Sequence, residues 1–472
     1  MVLRKKEDYL ENLKEYDKEK EVYYRGKRIR SFLENPVLKI SALHTAKLFE
    51  IPDRGYFDEN LNEEISKYFR IPKNSQDLLS RHRLIYDHTK YCNGVFNISQ
   101  AIGSDALFAL MITSKMLDRK KGTEYSKRIQ RYYQYVSRND LTLALAQTDV
   151  KGNRSMRPSE QEDPDLYLRI VEIKNDGIII RGAKAHTTQS AVAEELIVIP
   201  TRAMKENEDM YSVAFAIPTN TKGLKFIIRP IDEVEGNTSA VISKKDYEFE
   251  TLTIFEDVFV PWDRVFLFKE YEYAGFLANL FATYHRFTAI SYRSALTDLY
   301  LGTAMLLAKA NGIEEAKHVR DDILNIIIYK EIMRMSAINA AMEPILSENI
   351  AIPNSVYTNI GKLYSNENFI KVVSSFIDIA GGIIATLPSE EDINDEYLSK
   401  YIFKYLKGKY DSKERIKILK LAKELASSSF TGYLLTLMIH AEGSMEASKI
   451  GLIRDYNVQE SEKFVRKILE LD

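Results

Sequence analysis

Residues 141–186 read LTLALAQTDVKGNRSMRPSEQEDPDLYLRIVEIKNDGIIIRGAKAH. Short runs of Leu, Ile and Val are separated by a long polar loop and by an Asp176-Gly177 pair, the chemistry of strands joined by a loop and a tight hairpin. The rhythm continues through ELIVIP (195–200), YSVAFAIP (211–218), LKFIIRP (224–230) and LTIFEDVFVP (252–261). The spacing predicts an antiparallel β domain over 141–272.

On either side the period changes. Residues 1–140 carry apolar positions at helical spacing, most clearly in DALFALMITSKMLDRK (Asp105 to Lys120). Residues 273–472 return to long helical stretches with broad apolar faces, such as HVRDDILNIIIYKEIMRMSAINAAM (318–342), as expected of a bundle. Gly381, Gly382 and Pro388 interrupt them in DIAGGIIATLPSEEDIN (378–394). The expected class is therefore α+β, mainly α: a helical N-terminal domain, a middle β domain and a C-terminal helical bundle.

The 66 basic and 68 acidic residues nearly cancel, which argues against a nucleic-acid partner. Cys92, the one cysteine, leaves no set for a disulfide framework, a structural zinc or an iron–sulfur cluster. The charged N-terminal stretch lacks an apolar signal core, and no run approaches the ~18–20 apolar residues of a membrane span. A cytoplasmic protein acting on a small molecule, without membrane contact, is the expectation.

A polar loop after Gln147 and a polar cluster at Lys184 to Thr188 place hydroxyls, amides and one imidazole on neighbouring strand ends. Such a setting suits a planar, hydrogen-bonding cofactor. No G-x-G-x-x-G follows a strand, so a nicotinamide fold is not expected.

The order polar loop, strand, RGAKAHTTQS, strand, GLKF and IFEDVFVPWDRVF resembles the middle domain of the acyl-CoA dehydrogenase superfamily. In particular it resembles the family joining flavin-dependent 4-hydroxyphenylacetate 3-monooxygenase to 4-hydroxybutyryl-CoA dehydratase, with the likeness running from about Tyr9 to the C-terminal helices. The resemblance implies FAD as cofactor, contacted by Thr148, Lys151, Arg154, His186, Thr187 and Thr188. It also implies a homotetramer, with Gly381 and Gly382 near an FAD bound mainly to a neighbouring subunit. Glu250 aligns with a carboxylate that dehydratase members use near the substrate, and His285 is retained, so both are the catalytic candidates.

The chain departs from both branches. The dehydratase cluster motif, Cys-x3-Cys-x-Gly-x-Asp-Ala, stands here as Asn97 to Ala106 with Asn97 and Ala101 at the sulfur positions, and His-x6-Cys stands as His285 and Tyr292. No cluster and no other metal is expected. A second dehydratase carboxylate falls at Leu437. The polar anchors that hold a phenol in the hydroxylase branch fall at Ile102, Ala106 and Leu145. The favoured expectation is a two-component monooxygenase, using reduced FAD supplied by a flavin reductase, with an altered pocket. A cluster-free acyl-CoA dehydrogenase or dehydratase/isomerase-like enzyme with Glu250 as base, and a catalytically silent structural paralogue, stand beside it.

Overall fold

A computed structural model describes residues 3–236 and 239–471. The N-terminal part consists of α1 (Lys6–Glu19), the hairpin β1 (Glu21–Tyr24) and β2 (Lys27–Ile29), α2 (Leu38–Ala46), the hairpin β3 (Gly55–Asp58) and β4 (Glu63–Ser66), and α3 to α5 (Ser75–Tyr91, Ala101–Lys121, Tyr125–Arg138). The middle part holds β5 (Leu143–Ala146), β6 (Arg169–Ile173), β7 (Gly177–Lys184), β8 (Glu195–Val198), β9 (Val213–Pro218), β10 (Leu224–Ile228), β11 (Thr251–Pro261) and β12 (Val265–Phe268). Then come α6 (Tyr271–Asn311), α7 (Lys317–Met342), the hairpin β13 (Ile345–Ser347) and β14 (Ile350–Ile352), α8 (Ser355–Ala380), the short α9 (Glu390–Asn394) and α10 (Ser399–Tyr405), and α11 to α14 (Ser412–Ala426, Ser429–His440, Met445–Asp455, Val458–Ile468).

The strands form a six-stranded sheet, β2-β1-β10-β11-β7-β6, and a four-stranded sheet, β12-β9-β8-β5. Two features differ from the sequence expectation. The strands β1 and β2 of the N-terminal segment join the middle sheet, with Val22 opposite Phe226, and β1–β10 and β5–β8 pair in parallel. The physical reason is connectivity: β1 and β5 arrive from the helical block, and the β6–β7 hairpin intervenes before β8, so neither pair is joined by a tight turn. A register slip in β11 between Phe255 and Val258 marks a bulge that bends this long strand.

Helix α4 is buried on all sides from Ala101 to Ser114, which its lack of charge apart from Asp105 permits. Gly103 lets it approach β5: a Cβ there would stand 2.2 Å from Leu143 Cβ. Its 41 residues make α6 about 60 Å long, and it is the spine of the bundle against which α4, α7, α8 and α11 pack. Side-chain caps at Asn74, Asn354 and Ser444 start α3, α8 and α13, and left-handed Gly122, Gly312 and Gly381 end α4, α6 and α8. The buried carboxylate of Glu424 on α11 accepts the backbone N–H groups of Val241, Ile242 and Ser243 at 2.7–2.9 Å, pinning the middle part to the bundle. Among the described residues no helix is long and apolar enough to cross a membrane.

Candidate functional site

The end of β7 is built by a buried ion pair. Lys184 Nζ lies 2.5 Å from Asp149 Oδ1 and donates to Gln147 O at 2.8 Å, while Ala185 N donates to Thr148 O at 2.8 Å. Both charges being buried, the pair holds the polar loop 147–154 against the strand end more firmly than an exposed pair could. Tyr167 adds a hydrogen bond from its hydroxyl to Lys151 O at 2.9 Å.

This brings Thr148 and Lys151 beside His186, with Arg154 next to Lys151. Among the described residues, Lys151, Arg154 and Arg202 enter no ion pair, and Arg202 lies 5.9 Å over the Tyr167 ring. Burial, then Arg154, hold the Lys151 ammonium below its ordinary range; burial, then Lys151 and His440, do the same to His186. The neighbouring cations therefore repel one another and leave an anion-ready corner. His186 at φ 53° and Gln189 at φ 57° turn the chain sharply here.

The two threonines that follow diverge. Thr187 is fully buried, its hydroxyl 3.2 Å from Ser190 Oγ and 2.5 Å from Thr253 Oγ1, with Thr251 also in reach. Its hydroxyl is thus committed inward, and it braces the loop. Thr188 points the other way and donates to Glu250 Oε1 at 3.0 Å and Oε2 at 2.9 Å.

Glu250 also accepts from Tyr433 of α12 at 3.1 Å. Burial pushes its carboxyl up to about 6, although the Thr188 and Tyr433 donors oppose the shift. Arg229 lies 4.1 Å over the Tyr433 ring and donates to Glu233 at 2.7 Å, so the tyrosine is fixed from its far face. A carboxyl titrating near neutrality and held in place from two sides is competent as a proton acceptor.

On α6, His285 Nδ1 is 3.3 Å from Asp105 Oδ2, and its ring stacks on Phe281 at 5.2 Å. Asp105 is a buried hub that also takes Arg81 at 2.6 Å and Thr288 at 2.9 Å. The aspartate orients the imidazole and leaves Nε2 as its other face.

The positions named for cluster ligands have other employment. Asn97 donates to His44 O at 2.7 Å, and the Tyr292 ring stacks on Phe96 with centroids 4.7 Å apart. Tyr292 OH donates to Glu442 at 2.9 Å. These side chains do not fit an iron–sulfur cluster: they offer no thiolate, and an aromatic stack stands at the last position. Cys92, His44 and Asp246 do approach one another within 4.8 Å, all buried. Asp246 is already satisfied by His44 at 2.9 Å, Lys47 at 2.6 and 2.7 Å and Asn93 at 2.5 Å, which marks a buried ion-pair hub in place of a metal centre.

Ile102 and Ala106 on α4 and Leu145 on β5 are all buried. Gly381 and Gly382 both take left-handed backbone (φ 65° and 71°) after α8, with open space where a Cβ would stand. Sequence reading missed Asp105 and Tyr433. The available signal for Asp105 was a lone charge in the apolar first half of α4; nothing local marks Tyr433.

A family profile described as 4-hydroxyphenylacetate 3-hydroxylase N terminal matches residues 5–267, and its C-terminal counterpart matches 274–470. The 4-hydroxybutyryl-CoA dehydratase/vinylacetyl-CoA-Δ-isomerase of Clostridium aminobutyricum is 31% identical over 490 residues, covering 98% of each chain. The oxygenase component of 4-hydroxyphenylacetate 3-monooxygenase from Thermus thermophilus is 27% identical, covering 90% of this chain and 88% of that one. Among solved structures, an oxygen-tolerant archaeal 4-hydroxybutyryl-CoA dehydratase from N. maritimus superposes with a TM-score of 0.93 at 26% identity, covering 100% of this chain and 96% of that one. A 4-hydroxyphenylacetate 3-monooxygenase oxygenase component complexed with FAD and 4-hydroxyphenylacetate superposes at 0.90 and 25%, covering 99% and 98%.

Proposed function

We propose that this chain, which belongs to the 4-hydroxyphenylacetate 3-hydroxylase family, is an FAD-dependent oxidoreductase that transfers one oxygen atom from O2 to a small aromatic substrate. The observation that carries the reading is the corner at the end of β7, where Lys151 neighbours His186, Arg154 and Arg202, and none of the cations Lys151, Arg154 and Arg202 enters an ion pair among the described residues. Unpaired cations next to strand-end donors fit an anionic, planar cofactor, and relatives of this chain have been solved with FAD. Bound in reduced form, FAD supplies the electrons that activate O2, one oxygen passing to the substrate and the other leaving as water.

The chain's own residues then have distinct tasks. Thr148, Lys151, Arg154, His186 and Thr188 face the cofactor, Thr187 stiffens the loop that carries them, and the Lys151 and Arg154 cations favour negative charge on the reduced ring. Glu250 withdraws a proton from the substrate, and His285, aimed by Asp105, is the second acid–base group. Ile102, Ala106 and Leu145 shape an apolar substrate wall.

The protein assembles as a homotetramer, supported by exposed Leu324, Ile327, Ile328, Met335 and Met342 along α7, with Gly381 and Gly382 near a neighbour's FAD. It works in the cytoplasm with reduced flavin from a separate reductase. A second reading, an acyl-CoA dehydrogenase or isomerase without a cluster, draws on the poised Glu250 carboxyl and the dehydratase relative. Titration of the purified protein with FAD, followed by turnover with phenols and with acyl-CoA thioesters, separates the two: oxygen transfer supports the first, and anaerobic bleaching by a thioester supports the second.

A further inference from the structure

The turn between α12 and α13 is held by one carboxylate. Glu442 sits at φ 56°, a left-handed conformation that a non-glycine residue adopts only when its surroundings enforce it. Its oxygens accept from Tyr292 OH at 2.9 Å and Arg293 Nη2 at 2.6 Å, with Lys362 Nζ 3.5 Å away, and its backbone carbonyl accepts from Arg286 Nε at 3.1 Å. The side chains of Arg293 and Lys362 are fully buried and that of Glu442 is nearly so. From α8, Asn366 donates to Met438 O at 2.8 Å, and Lys362 donates to Asn366 Oδ1 at 3.1 Å. Two helices, α6 and α8, thus grip the last carbonyls of α12 and the turn that follows.

That turn follows directly on His440, the last residue of α12, an exposed imidazole whose charged neighbours are Lys151, Arg154 and Lys362 and which in turn acts on His186. The position of His440 relative to the cationic corner is therefore set from behind, by a group that is itself too buried to touch a ligand in that corner.

We infer that Glu442 is a positioning residue: through Tyr292, Arg293 and Lys362 it seats the 440–444 turn so that His440 closes the C-terminal wall of the cofactor corner. The inference rests on the flavin reading of that corner. Its chemistry is a buried charge clamp, in which removing the carboxylate leaves the buried Arg293 guanidinium without its counter-ion.

The test uses the full-length protein and FAD itself. Glu442→Gln keeps the shape and removes the charge, and Tyr292→Phe, which removes one donor only, serves where the first variant folds poorly. Loss of one charge-assisted hydrogen bond is expected to weaken FAD binding about tenfold and to speed amide exchange across residues 440–444. His440→Ala alone is expected to weaken FAD binding by a similar factor, and Glu442→Gln with His440→Ala to weaken it no further than either. Unchanged exchange and affinity in both clamp variants, or single effects that multiply to about a hundredfold in the double variant, would overturn the inference. If the unaltered protein takes up no FAD, the flavin reading fails, and the exchange measurement alone then decides whether Glu442 seats the turn.

Discussion

With Glu250 as the proposed base, burial together with its donors Thr188 and Tyr433 sets the pH at which it can act. In the structure Tyr433 and Thr188 both donate to the Glu250 carboxylate, whose ionisation lies at about 6 because burial raises it and these donors pull it back. At that value about a tenth of the carboxyls are ionised at pH 5 and about nine-tenths at pH 7, so a Glu250-dependent kcat/KM rises about tenfold across the interval. Both donors stabilise the charged form, so removing one raises the ionisation further and moves the rising limb to higher pH. A hydrogen bond to a charged group contributes ~1.5–3 kcal/mol, and 1.4 kcal/mol is one pH unit. Tyr433→Phe should therefore move the limb up by about one unit, to near pH 7, with little change in the plateau. Glu250→Gln should remove the limb and the activity together. The assay is kcat/KM against pH from about 4.5 to 8.5 at saturating FAD, backed by infrared titration of the carboxyl band without turnover. A limb that stays put in Tyr433→Phe refutes the coupling, and a full-rate Glu250→Gln refutes the base.

Other outcomes follow from the same geometry. Because Ile102, Ala106 and Leu145 offer no hydrogen bond, burying a phenolate against them costs several kcal/mol, and steady-state assays with a supplied flavin reductase should find 4-hydroxyphenylacetate a poor substrate. Iron analysis of anaerobically purified protein should find no stoichiometric iron, and a full cluster complement would contradict the reading of Asn97, Ala101 and Tyr292. Asp105→Asn leaves Arg81 buried without its counter-ion and should cost about 3 kcal/mol by denaturant unfolding of the unit containing α3, α4 and α6, besides misdirecting His285. Under the proposed homotetramer, Ile328→Asp on the exposed face of α7 should lower the particle mass seen by light scattering, and an unchanged mass would contradict an interface on that face.

The fold was legible where the local chemistry agreed with the final structure. Asp176-Gly177 does turn β6 into β7, and Gly381 ends α8. What escaped the sequence was long-range. The β1–β2 hairpin turns at Arg25-Gly26 inside the segment expected to be helical, and its place beside β10 depends on a contact about 200 residues away. Thr187 and Thr188 read alike as adjacent hydroxyls, but the sharp turn at His186 sends one into the Thr251–Thr253 cluster and the other to Glu250. Tyr433 lies on α12 and Glu442 on the turn after it, and both find their partners only once these segments pack on the rest of the chain, which no local pattern encodes.

The central claim, a flavoenzyme that passes oxygen to its substrate, is tested most directly by loading the protein with reduced FAD under anaerobic conditions and admitting isotopically labelled O2. The experiment is run with a panel of phenols and, separately, with acyl-CoA thioesters. The account predicts one labelled oxygen in a hydroxylated aromatic product and flavin returned to its oxidised form. Oxidised flavin bleached by a thioester in the absence of O2, with no label entering any phenol, would contradict it.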